Sequence, residues 1–176
     1  MTDPAALSMV ATAANTPASV ILPDARIVDD VAGTSAPGAI WVRDGVIAAV
    51  GTDDEVRTAA GDAVGISLGG ASLAPGLLNM HTHFSLALPG VRGDQMAALD
   101  DAGLALYMAD GARRALHAGI TTVRCVAERD HVDFALRTAI TRGEIPGPRI
   151  FTAGQALVCT GGHGHAHGLA RAGVAR

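Results

Sequence analysis

From Leu73 onward the 176-residue chain alternates strand-like and helix-like stretches, and this alternation limits the possible folds more than any other feature. SLAPGLLNMHTHF holds an apolar strand behind Pro75-Gly76. The stretch from about Gln95 to His117 is rich in Ala and Leu, with Met96, Leu99, Leu104, Leu106 and Met108. It reads as one helix despite Gly103 and Gly111, ending at Gly119. ITTVRCVA is β-branched and reads as a buried strand. DHVDFALRTAITRGE has a helical apolar stripe at Val132, Leu136 and Ile140, and RIFTAGQALV is a third strand. Strand, helix, strand, helix, strand predicts a parallel sheet with helices outside.

The preceding residues differ in character. Residues 19–28 and 39–51 are Val- and Ile-rich runs, and Asp44-Gly45 splits the second as a hairpin turn would. DDEVRTAAG reads as a short helix capped by Asp53 or Asp54, and AVGISLGG as a strand ending in the Gly69-Gly70 turn. The expected divisions are a loose leader over 1–18, a β-rich unit over 19–72, an α/β unit over 73–165 and an irregular tail over 166–176.

With 49% hydrophobic and 17% charged residues, the chain has the material for a packed core, and disorder is excluded. All thirteen basic residues are Arg, and the net charge of -4 gives no electrostatic footprint for nucleic acid or a membrane surface. From Ala63 to Val91 there is no Asp, Glu or Arg, but Gly69-Gly70, Pro75, His81, His83 and Pro89 interrupt the run, so it reads as a buried strand with loops. Cys125 and Cys159 match neither a disulfide framework nor a CxxC site, and Asp3 stands where a secretory signal would be basic. A cytoplasmic protein is expected.

His81-Thr82-His83 is the constellation that carries chemistry. In a strand, residues i and i+2 project from one face about 6 to 7 Å apart, so both imidazoles converge on one point. At the C-terminal end of a buried parallel strand they suit two ligands of one divalent metal, zinc first among them. An HxH on a surface strand also arises by chance. His163, His165 and His167 alternate with Gly and Ala; HGHAH reads either as a second metal cluster or as a flexible surface tail. His117 and His131 sit at helix ends and read as structural. Glu128, Arg129 and Asp130 read as a solvated loop after the second strand, at the level of the barrel mouth.

The β-rich unit followed by LAPGLLNMHTHFSL resembles the start of the amidohydrolase superfamily, in which a split β-sandwich precedes a (β/α)8 TIM barrel. Pro75, Gly76, Leu77, Leu78, His81 and His83 match its first barrel strand. GITTVRCVAERDHVDFALRTAITRGEIPGPRIFTAGQALVCTGGHGH resembles the second and third strands of the branch related to imidazolonepropionase and to metal-dependent prolidases acting on acylated amino acids. Two departures stand out. Asn79 replaces the usual Asp, and Cys125 follows Val-Arg where many relatives have Asp; both bear on substrate or packing.

The resemblance implies an α/β fold, a partial β-sandwich followed by the first three βα units of a TIM barrel, and hydrolysis of an amide, lactam or dipeptide-like C–N bond. His81 and His83 would hold the more buried metal, and His163 would contact a substrate carboxylate. The metal would bring the pKa of water from about 15.7 towards about 7 and polarise the carbonyl. A carboxylated lysine or glutamate, two further histidines and an aspartate complete such sites from later strands. A barrel needs about 250 residues, so three units form an incomplete barrel, and a lysine-free chain supplies no carboxylated lysine. The expectation is therefore a truncated or frameshifted hydrolase with no catalytic residue of its own, prone to self-association through exposed barrel edges. The alternatives are a non-catalytic metal-binding or structural module, or one half of a split enzyme.

Overall fold

The computed structural model describes residues 18–86, 90–159 and 162. The chain divides into two compact units between Pro75 and Gly76.

In the first unit β1 (Ser19–Asp29) is the central strand of a five-stranded sheet. β2 (Thr34–Arg43) pairs with it antiparallel, and β3 (Val46–Gly51) lies outside β2. The Asp44-Gly45 turn expected from sequence joins them, with φ of 53° and 76°, the left-handed pair a two-residue hairpin loop requires. Only Val64–Gly65 (β4) of AVGISLGG becomes strand, and it pairs with β1 in parallel, as does β5 (Ser72–Leu73). Helix α1 (Asp53–Ala60) lays Val56 against Ile21 and Ala39. Its cap is Thr52, not Asp53 or Asp54: the Thr52 hydroxyl accepts from Glu55 N while the Glu55 carboxylate accepts from Thr52 N, 2.9 Å away. Among the described residues this unit is one sheet with a helix on its face rather than two facing sheets.

The second unit follows the expected alternation: β6 (Leu77–Thr82), α2 (Val91–Ala97), α3 (Asp101–His117), β7 (Ile120–Cys125), α4 (Val132–Thr141) and β8 (Arg149–Thr152). The strands form a parallel sheet in the order β6-β7-β8. Leu104, Met108 and Ala112, one turn apart on α3, pack with Val123, Cys125, Ile150, Val132 and Leu136 into one core. The single helix expected from Gln95 to His117 is two, because Asp100 caps α3 by accepting from Gly103 N at 2.8 Å. Gly111 also has a packing reason: a Cβ there would stand 3.2 Å from the Phe84 ring. Among the described residues no helix is long and apolar enough to cross a membrane.

Candidate metal centre

β6 delivers His81 in its last turn of pleat, and His83 follows one residue past its end. The rings meet at 75° with their Nε2 atoms 3.1 Å apart. A backbone carbonyl orients the His83 ring. His83 Nδ1 lies 2.6 Å from the carbonyl oxygen of Val126, so Nδ1–H donates there and the Nε2 lone pair is left free. The Asn79 side chain accepts from His81 N at 3.1 Å, and Val126 N donates to Thr82 O at 3.0 Å, which ties the end of β6 to the end of β7.

Two nitrogens 3.1 Å apart fit one metal ion: with each about 2.0–2.1 Å from zinc they subtend about 100°, close to tetrahedral. The same separation admits an N–H···N hydrogen bond between the rings without metal, with His81 Nε2 as donor. Among the described residues no group of three or more His, Cys, Asp or Glu side chains gathers to hold a metal. His163, His165 and His167 lie outside the described residues. His117 and His131 are at helix ends, at the C-terminus of α3 and the N-terminus of α4.

The loop after β7 corrects the sequence reading. Glu128 is fully buried, not solvated. Its Oε1 accepts from Phe84 N at 2.7 Å, and its Oε2 accepts from Ser85 N at 2.8 Å and from the Ser85 hydroxyl. Burial raises its pKa above the usual carboxylate range, and the Ser85 and Phe84 donors oppose that shift. Arg129 reaches the other way, donating to Met96 O, Ala97 O and Leu99 O at the end of α2, where a cation meets the helix C-terminus favourably. Asp130 lies 3.4 Å from Arg129 Nε. The charge run masked this arrangement, because three adjacent ionisable residues resemble a wet loop; the available signal was Ser85, a hydroxyl two residues beyond the histidines.

Cys125 is buried in the core, and burial pushes its thiol pKa up, so it serves packing and is unreactive.

Residues 72–171 match the model of the amidohydrolase family. A curated imidazolonepropionase from Geobacillus sp. (strain WCH70) is 43% identical over 54 residues, covering 28% of this chain and 13% of the relative. A 5-methylthioadenosine/S-adenosylhomocysteine deaminase from Nitratidesulfovibrio vulgaris (strain DP4) is 37% identical over 86 residues, covering 48% and 20%. Among solved structures, molinate hydrolase superimposes with a TM-score of 0.67 at 25% identity, covering 77% of this chain and 30% of that one. A prolidase complexed with N-methylphosphonate-L-proline gives 0.67 at 26%, covering 84% and 34%. The chain thus spans a fifth or less of these curated relatives and about a third of these structures. With more than half of its residues inside the family match and an α/β fold similar to solved amidohydrolases, the chain belongs to the amidohydrolase family.

Proposed function

We propose that this chain carries the first metal-binding strand of a metal-dependent hydrolase acting on C–N bonds of small molecules, amides, lactams or N-acyl amino acids. The observation that carries the reading is the convergence of His81 and His83 Nε2 at 3.1 Å, with the His83 tautomer set by Val126 O so that its lone pair faces His81. A divalent metal, zinc by donor chemistry, would activate water and polarise the carbonyl when bound. The protein's part is to present two imidazoles from the C-terminal end of a parallel strand and to hold the His83 ring by the Val126 carbonyl. His163 is proposed as a contact for a substrate carboxylate. The free cysteines Cys125 and Cys159 are in keeping with a reducing, cytoplasmic setting. The exposed Leu77, Leu78, Met80 and Phe151 on β6 and β8 support self-association.

Isothermal titration of the full chain with zinc tests the reading, run beside a hydrolysis panel of N-acyl amino acids, lactams and Xaa-Pro dipeptides. One zinc per chain, lost in His81→Ala and in His83→Ala, is the expected result. Turnover that disappears with the same substitutions establishes the hydrolase; zinc bound without turnover assigns a metal-binding module instead. Absence of binding, or binding indifferent to both histidines, overturns the proposal.

A further inference from the structure

The loop from Val126 to His131 carries three non-glycine residues in the left-handed region, Ala127 at φ 55°, Asp130 at 54° and His131 at 58°. Each such residue is held against the steric preference of an L side chain, and persists only where its surroundings over-determine it. Here the surroundings are the bonds of two adjacent side chains. Glu128 grips Phe84 N, Ser85 N and the Ser85 hydroxyl, the two residues directly after His83. Arg129 grips the last carbonyls of α2 and the Leu99 carbonyl. Ser85 joins the two, since its Oγ also accepts from Arg129 N at 2.9 Å. Glu128 N donates to Gly154 O at 2.9 Å, so the loop is fastened to the segment after β8 as well.

The same loop supplies the Val126 carbonyl that fixes His83. His83 is thus held from both sides by one loop: its ring by Val126 and its following backbone by Glu128. We infer that Glu128 is a positioning residue for the histidine pair: by locking Phe84–Ser85 against the end of β7, it keeps His83 Nδ1 on Val126 O and Nε2 aimed at His81. A buried acidic side chain spent on two backbone N–H groups and one hydroxyl at a neighbouring strand's exit would otherwise be poor design for stability alone, because burying a carboxylate is costly and an amide or apolar contact would close the same gap. This inference rests on the metal-binding reading for its consequence, but not for its geometry. The predicted consequence is that loss of the carboxylate weakens metal binding without touching either imidazole, as removal of groups that orient ligands does by about 10- to 100-fold.

The test uses the full chain in two measurements. In the metal-free protein, long-range 1H–15N spectra of the imidazoles report the His83 tautomer; wild type shows Nδ1–H, and Glu128→Gln shows a mixture of tautomers. In a cobalt(II) titration, Glu128→Gln binds at least 10-fold more weakly, with a changed d–d band. Leu136→Ala, a core truncation on α4 that removes none of the loop's hydrogen bonds, serves as the control for mere destabilisation and leaves both readouts as in wild type. Ser85→Ala removes one donor to Glu128 together with the acceptor of Arg129 N, keeps the carboxylate and its two backbone donors, and moves both readouts in the same direction by less, which also decides the matter where Glu128→Gln does not fold. A Glu128→Gln or Ser85→Ala protein with the wild-type tautomer and cobalt affinity overturns the inference. If wild type binds no cobalt, the metal reading fails, and the tautomer alone decides whether Glu128 positions His83.

Discussion

His83 Nδ1 and the carbonyl oxygen of Val126 stand 2.6 Å apart, a contact that links two strands' ends 43 residues apart in sequence. It converts a sequence pattern into a defined donor geometry: an HxH fixes only which face two imidazoles share, whereas this bond fixes which nitrogen carries the proton. Because the pair is set before any ligand binds, metal should stabilise the folded state by mass action. At free zinc about 100 times the dissociation constant the gain is about 2.7 kcal/mol, which raises the melting temperature of a unit of this size by about 10 °C or more. Differential scanning fluorimetry of the full chain with and without zinc measures it, and neither His81→Ala nor His83→Ala should show the shift.

Glu128 predicts a stability that depends on pH in the unusual direction for a carboxylate. Its pKa is raised in the folded state by burial, so the folded form holds its proton more tightly than the unfolded form, whose value is near 4.5. The unfolded state then binds fewer protons across the window between the two values. Its contribution to stability is fully present below about 4.5 and is lost as pH rises through the folded value. Urea unfolding from pH 4 upward should show this decline in wild type, and Glu128→Gln should remove it. Equal slopes in the two proteins would show that burial does not control this group.

These two predictions rest on residues of opposite legibility. The histidines could be found from the sequence because strand alternation and i, i+2 spacing are local rules, and the Asp44-Gly45 turn for the same reason. Glu128 could not, since its partners Phe84 and Ser85 lie 44 and 43 residues away and only the β6–β7 register brings them together. The helix break at Ala98–Asp100 falls between. Apolar spacing runs through it, and only the Asp100-to-Gly103 spacing marks the new start. The cap of α1 was present in the sequence as Thr52-Asp53-Asp54-Glu55, a capping box whose Thr is overlooked when the acidic neighbours draw attention.

That cap gives a prediction confined to the first unit. Thr52→Ala removes the acceptor for Glu55 N and should destabilise by about 1 kcal/mol. The Thr52 backbone and hydroxyl hold the Glu55 carboxyl below the usual range, so their mutual stabilisation is present above the unfolded value of 4.5 and is lost as pH falls through the lower folded value. The difference in stability between wild type and Thr52→Ala, measured by chemical denaturation, should therefore narrow on acidification below 4.5.

The last prediction concerns the entry to β6. A Cβ on Gly76 would stand 2.1 Å from Thr121 Oγ1 and 2.7 Å from Thr121 Cβ, closer than real atoms approach. Gly76→Ala should then destabilise the second unit by about 1–3 kcal/mol, the usual range for overpacking, although alanine ordinarily stabilises an extended chain relative to glycine. The Thr121 side chain is the cause, so the second substitution matters. Thr121→Ala keeps the Cβ at 2.7 Å and should relieve only part of the strain, whereas Thr121→Gly should relieve most of it. A double-mutant cycle by denaturant unfolding reads this as a favourable coupling that grows from Thr121→Ala to Thr121→Gly. Additive effects in both cycles would mean that β6 and β7 shift apart at this point, and that the close approach is not what the glycine serves.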